Sequence, residues 1–401
     1  MASVNVFPPP AEVVQALDRL SNDRVADALP LLEHSAAFLL QEQLERRMFH
    51  LEDLRDIGLG TLFDRYTERA DQLQGLGSTF ASPRPEVIGE LNQLTGAVRS
   101  VEGFGGFLVA PDLQQLVKLG YPDPVVYVVC GEDGGWAVLM KPGSLPDLTS
   151  LPLPQLTRAA TQEHALSSWF SFASEPDYGA AVKKLDAIAG WCWEACMERI
   201  CASLDVGSRA TIIPIGPVGM LPLHVAFTPR NDARCGRHYA LDHLVISYAP
   251  NLRIAAFSRR PPGPPDAPRV TAFAPNPAAA SDSIGDQWAL PFSGPEARYV
   301  SGLYASPSAL LGTDAAPGVL VDSLRQPGFV HFAGHARVSP SVSNANFLRF
   351  GDSKLLLDDL RAVQDAEAEL VVLSACTSTL PAVSHPEQAL TIGNVLLVSG
   401  V

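Results

Sequence analysis

From residue 11 to about residue 100 the apolar positions recur with a helical period. Val13, Val14, Leu17 and Leu20 fall on one face, and Leu31, Leu39, Leu40 and Leu44 continue the pattern. Arg46, Arg47, Asp53, Asp56 and Asp64 occupy positions expected of solvated helix faces. The spacing predicts a helical N-terminal region over residues 1–80. No period of about 34 residues repeats within it, so the region reads at most as the remnant of a repeat array. The stretch 75–85 is rich in Gly, Ser and Pro and reads as a connection to a second region, 86–401. That region opens with a helix and the run Gly103-Phe104-Gly105-Gly106-Phe107. Residues 125–130 and 136–140 are short β-rich runs around Gly131, Gly134 and Gly135, which predicts a hairpin. Helices are expected over 156–172 and 178–204.

The pattern then changes. Residues 211–215, 244–248, 269–273, 329–333 and 370–374 are apolar on both faces, with helical stretches between them. Such strands predict an α/β fold with a mostly parallel sheet covered on both sides. Residues 355–363 read as an amphipathic helix, and 389–398 as another. Ser399-Gly400-Val401 then stops where a further strand is expected, so the sequence reads as truncated before a last core strand.

Charge narrows the function classes. With 43 acidic against 29 basic side chains the net charge is −14, which disfavours phosphate backbones and anionic membrane surfaces. Residues 1–10 lack the basic and apolar regions of a signal peptide, and no apolar run reaches the roughly 18 residues of a membrane span. A cytoplasmic protein with reduced thiols is expected. Cys192 and Cys196 share one face of a predicted helix, but no second pair completes the four ligands of a structural zinc. A packed core helix is the expectation there. No strand leads into a Gly-rich phosphate loop with Lys-Ser or Lys-Thr, and no cofactor or metal is expected.

In an open α/β sheet, reactive groups gather at the carboxyl ends of strands. Two strands here end in such groups: Gly328-Phe329-Val330-His331-Phe332-Ala333-Gly334-His335 and Leu370-Val371-Val372-Leu373-Ser374-Ala375-Cys376. A thiol needs a nearby base or cation to become a thiolate at neutral pH, and an imidazole on the neighbouring strand tip can supply it. Among nine histidines and six cysteines a Cys–His pair is commonplace; placement at two strand ends is not. The competing reading makes Cys376 a small buried hydrophobe and His335 a loop residue. His331 and His335 lie about 13 Å apart if extended, too far to share an ion, so His331 is expected to be a packed strand residue. Asp322, Asp352, Asp358, Asp359 and Asp365 are weaker candidates for an orienting group. Asp358 and Asp359 suit a helix N-terminus equally well.

These motifs, in order, resemble the CHAT family, caspase-related domains often found after tetratricopeptide-type helices. The resemblance runs along residues 86–401. Thr211-Ile-Ile-Pro-Ile-Gly-Pro-Val-Gly-Met-Leu-Pro-Leu-His224 resembles the family's strand and turn before a Leu-Pro-hydrophobic element, and Ile246-Ser247-Tyr248-Ala249-Pro250 a second segment. Val330 to His335 and Val372 to Cys376 resemble its two catalytic strand ends. The resemblance implies a caspase-like fold, Cys376 as nucleophile and His335 as base and acid. It implies an oxyanion hole made by the backbone N–H groups of Cys376 and Ala336. Glu387, near a position the family often keeps acidic, is by resemblance a substrate-pocket residue, although a helix N-terminal carboxylate explains it as well. The implied activity is a cysteine endopeptidase acting on a protein substrate and regulated by a protein partner through the helical region; the alternative is an inactive scaffold. Two departures stand out. Ala336 replaces the glycine common after the histidine, and Ser374-Ala375-Cys376-Thr377-Ser378 differs from the caspase Gln-Ala-Cys-x-Gly, so cleavage after aspartate is not expected.

Overall fold

The computed structural model describes residues 11–76, 85–143, 147–174, 178–231, 236–259, 269–276, 289–338, 346–364, 366–381 and 386–401. Five helices open the chain: α1 (Ala11–Ser21), α2 (Val25–Ser35), α3 (Phe38–Met48), α4 (Gly60–Leu76) and α5 (Pro85–Arg99). Then come α6 (Leu113–Lys118), β1 (Val125–Val129), β2 (Gly135–Lys141), β3 (Asp147–Leu153), α7 (Arg158–Ser174), α8 (Tyr178–Cys192), a π-helical turn and α9 (Glu198–Ala202). The middle of the chain holds β4 (Arg209–Ile215), β5 (Phe227–Pro229), β6 (Arg237–Tyr239), α10 (Ala240–His243), β7 (Val245–Tyr248) and α11 (Leu252–Ser258). Next are β8 (Val270–Ala274), α12 (Ser293–Gly302), β9 (Pro307–Leu311), α13 (Pro317–Leu324), β10 (Gly328–Ala333) and β11 (Ala336–Arg337). The chain closes with β12 (Phe347–Phe350), β13 (Ser353–Leu356), α14 (Leu357–Arg361), β14 (Ala368–Ser374) and α15 (Ile392–Ser399).

Packing divides the chain into two compact units, each drawn from several segments. The first comprises Met1–Phe38, Val109–Ala256 and His385–Ala389. Its sheet has the order β3-β2-β1-β4-β7, with β1, β4 and β7 parallel and the β1-β2-β3 meander antiparallel. The Val-Val-Tyr-Val-Val run of β1 is buried at all its positions, as a central strand covered on both faces requires. Leu20, Leu29 and Leu32 of α1 and α2 pack against Val125, Tyr127 and Val129 of β1, so the predicted helical face finds its core here. One polar knot lies inside this layer. Fully buried Glu33 accepts hydrogen bonds from the Tyr127 hydroxyl at 2.6 Å and from the N–H groups of Leu252 at 3.0 Å and Arg253 at 2.9 Å. Burial pushes the Glu33 carboxyl above the usual carboxylate range, against the pull of those donors.

The second unit comprises Leu39–Leu108, Phe257–Ser384 and Leu390–Val401. Its sheet is parallel throughout, in the order β14-β10-β8-β9. α12 packs on β8, β9 and β10, with Ala297 against Ala272 and Ala274. Gly328 starts β10 with φ +129°, where an added Cβ lands 2.4 Å from the Arg269 carbonyl, so only glycine allows β8 and β10 to meet there. α3 belongs to this unit. Gln43 donates to the Arg361 carbonyl at 3.1 Å, and Arg47 donates to the Val398 carbonyl at 2.5 Å. α4 and α5 are joined by Arg65 and Arg69 on Glu90, at 2.9 and 2.7 Å. α15 is capped by Thr391, whose hydroxyl accepts from Asn394 N–H at 3.0 Å, and by Gly400 in the left-handed region.

The α/β class and the helical N-terminal region hold, and the expected strands form. The structure adds β3, β9, β11, the β5–β6 pair and the β12–β13 hairpin. It also divides 355–363, read as one helix, into the end of β13 and α14. No helix among the described residues is long and apolar enough to cross a membrane.

Candidate active site

The register of the parallel sheet brings the two predicted strand ends together. β10 pairs with β14 so that Ala333 faces Ser374, and the Gly334 N–H donates to the Ser374 carbonyl at 3.2 Å. His335 and Cys376 each lie two residues beyond that last paired position, in the segments that leave β10 and β14. His335 is half-buried and Cys376 is exposed. Both belong to the second unit.

Local chemistry explains why these residues can sit here. An added Cβ on Gly334 would meet the Phe332 ring at 2.7 Å, and Phe332 is fully buried and tilted on Phe350 with ring centroids 5.3 Å apart. The ring cannot retreat, so the turn into His335 requires glycine. Beyond it, the His335 carbonyl accepts from the Arg349 N–H at 2.8 Å, and Ala336 pairs with Leu348. In that antiparallel pattern the N–H of Ala336 itself turns away from β12. On the other strand, Thr377 adopts φ +57°, a left-handed conformation that is a genuine outlier for a β-branched residue. Its hydroxyl donates to the Ala336 carbonyl at 3.5 Å, and the Leu380 N–H bonds back to the Thr377 carbonyl at 3.1 Å. Strained backbone of this kind persists where the surroundings hold it, and functional sites are where it concentrates. Thr377 therefore ties the two loops together. Sequence reasoning passed it over, because nothing in a Thr-Ser-Thr run announces a positive φ.

His331 lies further back, within β10. It is buried, and its Nε2 is 3.0 Å from Glu296 Oε1 on α12. The expectation of a hydrogen-bonded strand residue describes it, and Glu296 is the partner the sequence did not reveal. Asp359 accepts from the Leu356 N–H at 2.9 Å as an N-terminal carboxylate of α14, and Asp358 pairs with Arg361 at 3.2 Å. Asp322 lies 3.7 Å from Arg325, a turn of α13 away. Asp352 is exposed beside the β12–β13 turn. Asp365 lies outside the described residues. The Glu387 side chain also lies outside them, within the short turn Pro386–Gln388.

The remaining thiols make the contrast. Cys130, Cys192, Cys196 and Cys201 are buried, and Cys235 lies outside the described residues. Burial pushes the Cys192 thiol up to about 12 and that of Cys201 up to about 11, and it raises those of Cys130 and Cys196. Cys196 donates to the Cys192 carbonyl at 3.2 Å, so the pair is a packed helix face. A cavity of about 730 Å³ in the second unit is lined by Arg46, Arg47, Phe63, Phe257 and Arg361 among others, and holds neither His335 nor Cys376. The exposed strand ends, not this cavity, gather the reactive groups.

Comparison with protein families returns one match, a family model described as the CHAT domain, over residues 186–401. It covers the strand ends that carry His335 and Cys376. No curated protein matches the chain.

Proposed function

The chain belongs to the CHAT domain family, which is related to the caspase-like peptidases, and from that premise we propose that it is a cysteine endopeptidase. One observation carries the reading: an exposed thiol and a half-buried imidazole lie on the segments that leave the carboxyl ends of two adjacent parallel strands, and their chain neighbours Thr377 and Ala336 are joined by a hydrogen bond. In this reading Cys376 acts as thiolate and His335 holds the proton. Sγ attacks the carbonyl carbon of a peptide bond, the C–N bond breaks, and His335 delivers the proton to the leaving amine. Water, deprotonated by His335, then attacks the thioester, which releases the acid and restores the thiol. The backbone N–H groups of Ala336 and Cys376 hold the developing oxyanion. The Ala336 N–H is turned away from β12 and is available for it, which supports that role. Glu387 is retained as a substrate-pocket residue on the family resemblance alone. The reading places the protein in the cytoplasm, takes 86–401 as the CHAT region, and has a protein partner regulate it through residues 1–80. No nucleic acid, membrane, metal or cofactor takes part.

The test is covalent capture with a mixed library of peptidyl chloromethyl ketones, followed by mass spectrometry of the labelled chain. Peptide-dependent labelling at Cys376 that falls about 10²- to 10⁴-fold in His335→Ala supports the peptidase. Labelling that is independent of the peptide and unchanged in His335→Ala contradicts it and leaves the scaffold reading.

A further inference from the structure

The row of chemistry at the end of the parallel sheet has a third member. β8 pairs with β10 on the side opposite β14, with Phe273 facing Phe332. Asn276 and His335 each lie two residues beyond the last residue of their strands, Ala274 and Ala333. The segments leaving three neighbouring parallel strands, β14, β10 and β8, thus carry Cys376, His335 and Asn276 at the same end of the sheet. The Asn276 backbone is anchored, since its carbonyl accepts from the Leu290 N–H at 2.8 Å. Its side chain is buried, at 5% exposure, and its Oδ1 is enclosed with no hydrogen-bond partner among the described residues. Buried side-chain oxygens are nearly always paired, and one left unpaired calls for a reason. Removing it for an apolar residue of similar size is the cheap structural solution, which the sequence has not taken.

We propose that Asn276 is the positioning residue for His335: its side-chain carbonyl, unpaired among the described residues, takes up an imidazole N–H when the ring turns to the reacting geometry, and fixes the tautomer so that the other nitrogen addresses Cys376. This rests on the peptidase reading and extends it. A neutral amide acceptor orients the ring without adding charge. The Ala-Pro-Asn sequence at the end of β8 looks like an ordinary strand exit, and only the strand order of the sheet sets it next to the strand that leads to His335. Another ionisable pair is His331 of β10, four residues before His335 in the chain, with Glu296 of α12. The fixed positive charges of the adjoining strands are Arg337 and Arg349.

The experiment follows iodoacetamide alkylation of Cys376 by mass spectrometry from pH 5 to pH 9, with thermal melting of each variant. It compares wild type with Asn276→Leu, Asn276→Asp, His335→Ala and Glu296→Gln. Asn276→Leu is expected to melt at or above wild type, having lost an unpartnered carbonyl. It is expected to forfeit about 10- to 100-fold of the His335-dependent rate, the range over which groups that orient a functional imidazole act. Asn276→Asp keeps the acceptor and adds charge, so it retains the rate and moves the His335 midpoint to higher pH. Glu296→Gln leaves that midpoint in place. A wild-type profile in Asn276→Leu, alongside a lost advantage in His335→Ala, overturns the role of Asn276 and spares the dyad. An unchanged profile in His335→Ala sinks the dyad itself, and this proposal with it. Should Asn276→Leu fail to fold, Asn276→Asp decides alone: an unmoved midpoint overturns the proposal.

Discussion

β1 of the five-stranded sheet and β14 of the four-stranded sheet are both apolar strands that run into a cysteine at their carboxyl end, yet the two cysteines meet opposite fates. Cys130, directly after β1, is buried, and its thiol is pushed up by desolvation. Cys376, two residues after β14, is exposed beside the loop that carries His335. The strand-end position alone does not make a thiol reactive. What differs is the covering. β1 lies between β2 and β4 under α1 and α2, whereas β14 ends the order of its sheet among the described strands and leaves Leu370 and Val372 at 45% and 41% exposure. One strand end is closed over its thiol, and the other leaves its thiol exposed.

The strongest way to break this contrast is to attack the buried side. Glu33→Ala leaves the Tyr127 hydroxyl and two N–H groups without an acceptor inside a closed core. It is expected to cost about 3–5 kcal/mol, read by urea denaturation. The same carboxyl sets a pH dependence. Its folded pKa is raised, so the native state holds the proton more tightly than the unfolded chain. Its contribution is therefore fully present below the ordinary carboxylate value and is lost as pH rises through the raised folded value. Stability measured upward from about pH 4 should fall by this contribution, and Glu33→Gln should flatten that slope.

Gly334→Ala tests whether the open end is as tightly specified as the core. The added methyl meets the trapped Phe332 ring, and overpacking of this kind costs about 1–3 kcal/mol. Because the displaced segment carries His335, Cys376 should lose alkylation rate in the same variant. Smallest of all is the effect expected from Leu370→Lys on β14. At 45% exposure the side chain should change stability by no more than about 0.5 kcal/mol. A large loss there would mean that β14 is covered in solution and that the contrast between the sheets is weaker than drawn.

Much of the site was legible because it sits where periodicity is strongest. Val330 to Ala333 and Leu370 to Ser374 are unbroken apolar runs with one reactive residue beyond each, and the strands lie where those runs predict. Pairing was less legible. An apolar run announces a strand but not its neighbours, so the division of the parallel strands between two sheets could not be read from it. β3 escaped because Leu-Thr-Ser-Leu-Pro-Leu carries a proline, which an edge strand tolerates and a central one does not. β13 escaped because Lys354, Leu355 and Leu356 suit a helix as well as a hairpin, and only the antiparallel partner Phe347–Phe350 decides. Thr377 and Asn276 were invisible for another reason. A positive φ and an enclosed unpartnered oxygen are properties of folded geometry, with no signature in composition or spacing.

The most direct test of the central claim is a site-resolved alkylation map of the cysteines in the folded protein near neutral pH, repeated in His335→Ala. The account predicts that Cys376 reacts at least tenfold faster than Cys130, Cys192, Cys196 and Cys201, since an accessible strand-end thiol faces an imidazole while the others are buried with raised pKa values. It predicts further that His335→Ala removes most of what exceeds simple exposure. Cys376 reacting at the rate of an ordinary exposed thiol, with or without His335, would contradict it.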